Sequence, residues 1–428
     1  MKTRLKWLQS RFFLLEQSYN SILMRYYELK YTLRFEKIYA SFYFFITFRF
    51  VDYTKVLELS RKFPFVLITG PRQSGKSTLV KMVFPDYTYI SFSDLDIRTF
   101  AKEDPRGFIA TYPDKVIIDE VQKEPSILSY LQTHTDNANK EGMYILTGSQ
   151  NILLMSSVDE SLAGRVGILN LLPFSNEEMM AAGINKNTVD EQIFYGSYPR
   201  IYDKDIAPTD YYPNYIRTYV ERDIRNIKQI GDLSLFVKFI KLCAGRIGQL
   251  LNKASLANEC GVSEPTVQSW LSILEQCYII HLLKPDHKNF SKRLVKTPKM
   301  YFYDTGLACS LLEISSSSQI ATHYLRGELF ENMVVNEFIK KEYNRGKNPD
   351  FTFWRDSNGN EVDLLQNKDN EVFAYEIKSG ATFNKNYFKG LNYWSKLSDA
   401  NSEHKTVVFA GDNAMTSSEG KVLPWNRI

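Results

Sequence analysis

The residue types between Gly70 and Ser77 predict a loop that wraps phosphate groups. This stretch reads GPRQSGKS and fits the pattern G-x-x-x-x-G-K-[ST] without a mismatch. Glycine at both ends of such a loop allows backbone N–H groups to turn inward, towards an anion. Lys76 can reach the β- and γ-phosphates of ATP, and the Ser77 hydroxyl can ligate Mg²⁺. The predicted nucleotide-binding residues of this stretch are Gly70, Pro71, Arg72, Gln73, Ser74, Gly75, Lys76, Ser77 and Thr78.

The flanking sequence supplies the elements that must position this loop. Residues 65–68 are a short apolar run, which is typical of a strand buried in a parallel sheet. A helix that begins at Lys76 would direct the positive end of its dipole at the phosphates. A strand, a phosphate-binding loop and a helix in this order predict a nucleotide-binding α/β domain. A chance glycine loop before a helix is the weaker alternative.

Two adjacent carboxylates follow the next clearly apolar strand. Residues 115–118 are KVII, and Asp119 and Glu120 come directly after them. At the carboxyl end of a parallel strand, Asp119 can hold Mg²⁺ through water, and Glu120 can orient or deprotonate the attacking water. A buried strand can also end in surface acids by chance. The phosphate-binding loop upstream favours the catalytic interpretation.

Further downstream, three residues are candidates for contact with the γ-phosphate. Residues 143–146 are apolar and predict another strand, whose tip carries Ser149 and Gln150. Either side chain could sense the γ-phosphate, and we count Ser149 among the nucleotide-binding residues. Arg165 is a candidate arginine finger, which would stabilise the charge that develops during phosphoryl transfer. An ordinary surface arginine in an ion pair is an equal alternative for Arg165.

The composition limits the class of protein. The chain has 428 residues, enough for about three domains of ordinary size. Its four cysteines lie far apart with no C-x-x-C pair, which argues against a disulfide framework or a zinc site and favours a cytoplasmic protein. The formal charge is +4, but residues 1–50 carry +6 and the rest of the chain −2. The body of the protein is therefore not expected to bind polyanions over its whole surface.

Residues 1–50 are basic and aromatic, without glycine or proline. Their most apolar run, residues 39–48, is too short to span a bilayer, so an integral membrane protein is not expected. We interpret this stretch as an N-terminal extension. An amphipathic helix that attaches the chain to a membrane surface is the alternative.

Residues 246–295 have the pattern of a winged helix-turn-helix. Residues 254–260 and 264–274 predict two helices around a turn, and residues 278–283 predict part of a wing. The second helix would enter the major groove of DNA, with Thr266, Gln268 and Ser269 exposed. Because that helix contains no lysine or arginine, a small helical module between two domains is an equal alternative. The basic residues expected on phosphates are Lys284, His287, Lys288, Lys292 and Arg293.

The C-terminal third carries residues that could form a metal-dependent hydrolytic site. Residues 327–341 predict a helix, and three strands, a helix and a fourth strand follow, with hairpin signals between the first three strands. A period of two places Glu376 and Lys378 on one face of the third strand, beside Asp363 of the second. Asp363 and Glu376 could hold a divalent metal that activates water for phosphodiester hydrolysis, with Glu331 completing the site. A salt-bridged, inactive sheet is the alternative.

Two resemblances add to these predictions. The segments GPRQSGKST, IIDEVQ, LTGSQ, SLAGR and GSYP are similar to those of a large bacterial and archaeal family of AAA-like ATPases, whose C-terminal domain has no assigned function. This resemblance covers roughly residues 52–428. The C-terminal arrangement resembles the PD-(D/E)xK nuclease superfamily, although Val362 replaces the proline that usually precedes the aspartate. The motif positions that this second resemblance covers are Glu331, Asp363, Glu376 and Lys378.

Together these patterns predict an α/β protein in several parts. We expect an N-terminal extension (1–50), an AAA-like P-loop NTPase domain with a parallel sheet (51–200), a helical extension (201–245), a winged-helix-like module (246–295) and a restriction-endonuclease-like α/β domain (296–428). The predicted cofactors are ATP and Mg²⁺, with Ser77, Asp119, Asp363 and Glu376 as metal ligands. The predicted catalytic residues are Glu120, Arg165, Glu331, Asp363, Glu376 and Lys378.

Three functions are compatible with this organisation. The first is an ATP-driven DNA-processing enzyme, which would contact DNA through residues 246–295 and 327–380. The second is an ATP-dependent regulatory switch whose C-terminal domain is an inactive binding module. The third and weaker one is a membrane-peripheral ATPase attached through residues 1–50. Self-association is a further option for each of them.

Overall fold

The computed structural model describes residues 50–149, 162–220, 231–286, 295–398 and 402–428. Three parts of the predictions lie outside these described residues: residues 1–49 of the predicted N-terminal extension (1–50), the candidate Gln150, and the predicted basic residues His287, Lys288, Lys292 and Arg293. The described residues belong to one compact unit, which spans residues 47–428. Among them, no helix has both the length and the apolar character needed to cross a bilayer.

The phosphate-binding loop follows an inner strand of a parallel sheet, the second from one edge. In the described part of the chain this sheet has five strands in the order β2-β3-β4-β1-β5, and every pairing is parallel. Strands β1, β3 and β4 are buried along their whole length, as expected where helices cover both faces. The strands are β1 (Phe65–Thr69), β2 (Thr88–Ser91), β3 (Val116–Asp119), β4 (Tyr144–Gly148) and β5 (Val166–Asn170).

The helices beside this sheet begin where the sequence provides caps. The Asp94 carboxylate accepts hydrogen bonds from the N–H groups of Asp96 and Ile97, and therefore caps the helix that begins at Leu95. Asp104 ends that helix and caps the next one, which has proline at its first position. The helices are α1 (Phe50–Ser60), α2 (Lys76–Val83), α3 (Leu95–Glu103), α4 (Pro105–Thr111) and α5 (Ile127–Ala138).

A helical region follows the sheet and packs around tyrosine side chains. Tyr198, Tyr211, Tyr212, Tyr215 and Tyr219 are all buried, and neighbouring rings lie 5.0–6.2 Å apart between centroids. Residues Ile216–Val220 form a π-helical turn at the end of this region. The helices are α6 (Asn176–Ala181), α7 (Val189–Tyr195), α8 (Pro199–Asp203) and α9 (Pro208–Tyr215).

Three helices and an antiparallel hairpin make up the middle of the chain. Gly261, with a φ of +74°, ends the second helix, and the Ser263 side chain caps the third. The two helices predicted from the sequence are thus confirmed, with bounds that differ by one or two residues. The assignment to a DNA-binding winged helix stays a prediction. The elements are α10 (Leu233–Ala244), α11 (Lys253–Cys260), α12 (Glu264–Gln276), β6 (Ile280–Pro285) and β7 (Lys299–Phe302).

The C-terminal part contains the predicted order of one helix, three strands, a helix and a strand. Two further strands at the C-terminal end were not expected. The described residues form one mixed sheet in the order β12-β13-β11-β10-β9-β8-β6-β7. The elements are α13 (Thr305–Leu311), α14 (Ser317–Ile320), α15 (Arg326–Asn344), β8 (Phe351–Arg355), β9 (Glu361–Lys368), β10 (Glu371–Lys378), α16 (Lys389–Ser398), β11 (Lys405–Phe409), β12 (Met415–Ser417) and β13 (Gly420–Pro424).

The middle and C-terminal parts share both a sheet and a core. Strand β6 pairs with β7 of its own hairpin and, over Lys284 and Pro285, with β8 of the C-terminal part. One continuous apolar core extends from Leu172 to Trp425 through these regions. The predicted boundaries near residues 245 and 295 stay predictions, and this core has members on both sides of each.

Candidate functional site

The phosphate-binding loop has a backbone that only glycine tolerates at its first position. Gly70 has a φ of +147°, and a Cβ atom built on it would lie 2.1 Å from the carbonyl oxygen of Leu171. Gly75 has a φ of +97° and stands immediately before α2. The loop is therefore held against the end of the neighbouring strand, and its last residue passes directly into a helix N-terminus.

The ammonium group of Lys76 lies over this loop. The side chain is buried, and its Nζ donates hydrogen bonds to the carbonyl oxygens of Gly70 (3.0 Å) and Pro71 (2.7 Å). Phosphate oxygens of a bound nucleotide could take the place of these two acceptors. The geometry therefore fits the role that the sequence predicts for Lys76.

Hydroxyl groups from three different elements surround the carboxylate of Asp119. Ser77 Oγ donates to Asp119 Oδ1 (2.8 Å), and the Tyr89 hydroxyl donates to Oδ2 (2.7 Å). Thr147, at the end of β4, also donates to Oδ1. The hydroxyl of Ser77 and the carboxylate of Asp119 are hard oxygen donors side by side, which is the donor type that Mg²⁺ requires. These residues fit the predicted cation.

Glu120 stands next to the predicted γ-phosphate sensor. It adopts φ 59° and ψ 41°, a left-handed conformation that is uncommon for residues other than glycine and often marks functional sites. Ser149 Oγ donates to Glu120 Oε2 over 3.3 Å, and Gln122 Nε2 donates to the same oxygen over 2.5 Å. The structure therefore brings Glu120 and Ser149 together at the edge where Asp119 and the loop meet.

Arg165, the predicted arginine finger, lies at the opposite end of the sheet from the phosphate-binding loop of its own chain. Its backbone carbonyl accepts from the N–H of Phe65, the first residue of β1, whereas the loop leaves after the last residue of that strand. A five-residue strand separates the two ends by about 13 Å. The Arg165 guanidinium forms an exposed ion pair with Asp136 instead, with N···O distances of 2.6 and 3.1 Å.

The helical region contacts the phosphate-binding loop directly. The Tyr211 hydroxyl donates to Gln73 Oε1 (2.9 Å), and Gln73 is held in a left-handed conformation with a φ of +64°. The Tyr278 hydroxyl of the middle region donates to Asn170 Oδ1 (2.8 Å) and lies 3.4 Å from Thr69 Oγ1 at the end of β1. The loop is therefore hydrogen-bonded to the helical region, and the strand ends beside it are in contact with the middle region.

A buried carboxylate connects the GSYP turn with the region beyond β7. Asp304 is 2% exposed, and its Oδ2 accepts from the backbone N–H (2.8 Å) and the hydroxyl (3.0 Å) of Ser197. Its Oδ1 accepts from the N–H of Leu307 and so caps α13. One side chain thus fixes the helical region to the C-terminal half.

The four predicted C-terminal residues lie in one charge cluster, which includes a lysine that the sequence did not single out. Lys378 Nζ is 2.6 Å from Glu376 Oε1 and 3.7 Å from Asp363 Oδ2. Lys299 Nζ, from β7, is 2.8 Å from Glu331 Oε1 and 3.9 Å from Asp363 Oδ1. Asp363 therefore stands between two lysines, and Glu331 is linked to it through Lys299.

Burial sets the protonation of this cluster. Burial raises the pKa of Glu331 to about 7, although Lys299 acts in the opposite direction. Burial, and after it the charge of Asp363, raises the pKa of Glu376 to about 8. Burial alone would lower the pKa of Lys299, but the surrounding acids, Glu331 first, raise it well above its ordinary value. The lysines are therefore charged at neutral pH, whereas Glu331 and Glu376 retain part of their protons.

The prediction that Asp363 and Glu376 hold a metal stays a prediction. Over the ranges that the structure describes, no group of three or more His, Cys, Asp or Glu side chains is placed to hold a metal ion. Lys299 Nζ and Lys378 Nζ lie beside the Asp363 carboxylate, 3.9 Å from Oδ1 and 3.7 Å from Oδ2. The catalytic roles predicted for Glu331, Asp363, Glu376 and Lys378 likewise stay predictions.

The face of α12 predicted to read DNA is only partly available. Gln268 and Ser269 are exposed, but Thr266 is half-buried and its hydroxyl lies 2.9 Å from Ser263 Oγ, at the helix cap. Lys253 Nζ donates to Gln268 Oε1 (3.0 Å). Contact with DNA through residues 246–295 or 327–380 stays a prediction.

Several residues of these sites were not assigned from the sequence. Thr147 and Gln122 lie within the quoted motifs LTGSQ and IIDEVQ, so the motifs themselves held the signal. Tyr89 lies in strand β2, where a tyrosine is ordinary. Lys299 has a weak signal, because it is a lysine at the start of the apolar run KMYF, in a strand that is buried throughout.

Comparison with known protein families divides the chain into three matched segments. Residues 62–180 match the family described as an AAA domain. Residues 186–318 match a domain of unknown function, DUF8612, and residues 326–428 match another, DUF4143. Of these three family descriptions, only that of the AAA domain bears on function.

Two curated relatives cover most of the chain. They are the uncharacterized proteins Mb2031c of Mycobacterium bovis and Rv2008c of Mycobacterium tuberculosis. Each is 27% identical over 326 residues, which are 74% of this chain and 71% of the relative.

Among solved structures, the chain is similar to the Walker-type ATPase PABY2304 of Pyrococcus abyssi, with 14% sequence identity and a TM-score of 0.41. The similarity covers 61% of this chain and 94% of PABY2304. The AMPPCP-bound DnaA of Aquifex aeolicus is 13% identical, with a TM-score of 0.28, and the similarity covers 53% of this chain and 86% of that DnaA chain. The family match of residues 62–180 and the geometry of the loop agree. The chain therefore contains an AAA-like P-loop ATPase domain.

Proposed function

We propose that this protein binds Mg·ATP at residues 70–78, hydrolyses it, and uses the nucleotide state to set the arrangement of its helical and C-terminal parts. One observation carries the proposal: Lys76, Ser77, Asp119, Glu120 and Ser149, which come from three separate stretches of sequence, meet at one edge of the sheet. This is the set of groups that phosphoryl transfer from ATP requires.

Each of these residues has a distinct role in the proposed reaction. Lys76 binds the β- and γ-phosphate oxygens that replace its present carbonyl partners. Ser77 and Asp119 would hold Mg²⁺, which would neutralise charge on the phosphates. Glu120 orients the attacking water and accepts its proton, and Ser149, which donates to Glu120, lies where it can report the presence of the γ-phosphate.

The contacts of the loop support a switch rather than an isolated hydrolase. Gln73 of the loop is bonded to Tyr211 of α9, and Tyr278 lies against the last residues of β1 and β5. A nucleotide that reshapes the loop therefore changes contacts with the helical region without an intermediary. A conformational change of this kind requires such differential contacts in the two states.

The C-terminal part acts, in this proposal, as a binding module without nuclease chemistry. The specific observation in favour is that its carboxylates are paired with lysines: Lys299 Nζ is 2.8 Å from Glu331 Oε1, and Lys378 Nζ is 3.7 Å from Asp363 Oδ2. A nuclease would need at least two of those carboxylates for Mg²⁺ or Mn²⁺.

The test is an ATP-hydrolysis assay on the purified full-length protein with Mg²⁺. We expect turnover by the wild type and a loss of about 10²–10⁴-fold in Glu120→Gln, because the general base is removed while ATP binding is retained. The exposed Glu141, substituted in the same way, is the matched control and should leave turnover unchanged. Equal turnover in Glu120→Gln and wild type would exclude the assigned role of Glu120.

A second arm of the experiment addresses the C-terminal module. The same preparations are incubated with linear DNA and either Mg²⁺ or Mn²⁺, with and without ATP. We expect no cleavage. Cleavage that disappears in Asp363→Ala would show that the module is a nuclease after all, and would leave the ATPase proposal intact.

A further inference from the structure

Tyr89 brings a hydroxyl group to Asp119 from β2, the edge strand of the parallel sheet. It lies opposite Ile117 of β3, and Ser91, two residues further along β2, lies opposite Asp119. Side chains two residues apart on a strand share a face, so Tyr89 and Asp119 lie on the same side of the sheet. The tyrosine side chain covers the two intervening residues, about 7 Å along the strands. Its hydroxyl reaches Asp119 Oδ2 at 2.7 Å.

The aromatic ring of Tyr89 is held by a second element as well. Lys81 lies on α2, the helix that begins at the end of the phosphate-binding loop, and its Nζ is 3.5 Å from the centre of the ring. An ammonium group over the face of a tyrosine ring is attractive. Tyr89 therefore connects the helix of the phosphate-binding loop with the carboxylate of Asp119.

The two oxygens of the Asp119 carboxylate have different partners. Oδ1 accepts from Ser77 (2.8 Å) and from Thr147, whereas Oδ2 accepts from Tyr89. Oδ1 is thus the oxygen beside Ser77, the other predicted ligand of Mg²⁺. An aspartate carboxylate rotates easily about its last bond, and donors on both of its oxygens restrict that rotation.

We propose that Tyr89 is a positioning residue for Mg²⁺, which holds Oδ2 of Asp119 so that Oδ1 stays beside Ser77. This role rests on the proposed function, since the cation would be bound together with ATP. The hydroxyl of Tyr89 is bonded to the carboxylate and not to the phosphate-binding loop. Its removal should therefore weaken the effect of Mg²⁺ on nucleotide binding and leave binding without Mg²⁺ unchanged.

Tyr87 provides a matched control in the same stretch of chain. It is half-buried, as Tyr89 is, and its hydroxyl also donates one hydrogen bond, to the carbonyl oxygen of Gly142 (2.8 Å). Gly142 precedes β4 and therefore lies at the amino end of the sheet, whereas Asp119 ends β3. Tyr87→Phe and Tyr89→Phe each remove one hydroxyl and one bond of similar length, but only Tyr89→Phe changes a contact of Asp119.

The experiment is a calorimetric titration of the full-length protein with AMPPNP, an ATP analogue that is not hydrolysed, in saturating Mg²⁺ and in EDTA. The quantity of interest is the gain in affinity that Mg²⁺ produces. In Tyr89→Phe we expect this gain to be about tenfold smaller than in the wild type, the size of effect found when a hydrogen-bond partner of a metal ligand is lost. The affinity in EDTA should equal that of the wild type. Tyr87→Phe should match the wild type under both conditions.

Three results would overturn the role of Tyr89. The first is a gain from Mg²⁺ in Tyr89→Phe as large as in the wild type. The second is an equal loss of affinity in Mg²⁺ and in EDTA, because Tyr89 would then act on the loop and not on the cation. The third is the same reduced gain in Tyr87→Phe. In all three the wild type still binds AMPPNP, whereas absence of binding by the wild type would contradict the proposed function and the role of Tyr89 with it.

Discussion

The protonation of Glu376 makes the stability of the protein depend on pH in a defined direction. Burial, and after it the charge of Asp363, raises its pKa to about 8 in the folded state, whereas the ordinary value is 4.5. The folded protein therefore holds this proton more tightly than the unfolded chain. The resulting stabilisation is complete below about pH 4.5 and is lost as the pH rises through 8.

The size of the effect follows from these two pKa values. The proton of Glu376 should contribute roughly 1–2 kcal/mol less to the free energy of unfolding at pH 8.5 than at pH 6.5. Other groups titrate over the same range, so the relevant quantity is the difference between wild type and Glu376→Gln. The glutamine cannot titrate, so the free energy of unfolding of the Glu376→Gln variant should fall less over this interval than that of the wild type.

Urea unfolding at the two pH values measures this difference. Trp354 and Trp394 are buried in the apolar core beside β9 and β10, so tryptophan fluorescence reports on this part of the molecule. Glu141→Gln, at an exposed position, is the control and should follow the wild type. Parallel pH profiles for wild type and Glu376→Gln would refute the idea that Glu376 holds a proton in the folded state.

Three further substitutions test other contacts of the structure. Gly70→Ala should lower the free energy of unfolding by about 1–3 kcal/mol and abolish nucleotide binding, because the added Cβ would lie 2.1 Å from a backbone oxygen. Thermal-shift and nucleotide-binding assays measure both effects. Gly245→Ala is the control and should show neither effect, because its Cβ would have its nearest contact at 3.6 Å. Tyr211→Phe should weaken ATP binding by about 1 kcal/mol, roughly fivefold in affinity, because the hydrogen bond to Gln73 of the loop is lost. Fluorescence titration measures this change, and the control Tyr198→Phe should leave the affinity unchanged. Asp304→Asn should lower the free energy of unfolding by about 1.5–3 kcal/mol in urea, and an unchanged midpoint would contradict its connecting role.

The nucleotide site was predictable because its determinants are local in sequence. Residues 65–78 contain the strand, the loop and the start of the helix in one stretch, and the structure shows β1, the loop and α2 in this order. Asp119 and Glu120 follow an apolar run whose burial was evident from composition. Since parallel strands end at the same edge, the meeting of Ser77 with Asp119 followed from the pattern.

Arg165 shows where that reasoning fails. Its motif suggests proximity to the phosphates, but β5 pairs with β1 in parallel, with Val166 opposite Phe65. This register places Arg165 at the amino end of the sheet, away from the loop. A strand register is decided by long-range pairing, which the local sequence did not specify.

The C-terminal cluster shows what a local sequence pattern leaves out. The sequence period placed Glu376 and Lys378 on one face and Asp363 beside them, and the structure does bring them together. Lys299, which the sequence did not single out, lies on β7, and three helices and one strand separate β7 from the strand of Asp363. Its role depends on the addition of the β6–β7 hairpin to the C-terminal sheet, which no local pattern indicates.

Calorimetric titration of the full-length protein with Mg·ATP tests most directly whether the loop at residues 70–78 binds ATP through Lys76. We predict saturable binding to the wild type and a loss of binding in a folded Lys76→Ala variant, because the ammonium group that meets the phosphates is gone. Absence of binding to the wild type, or equal binding by both proteins, would contradict it.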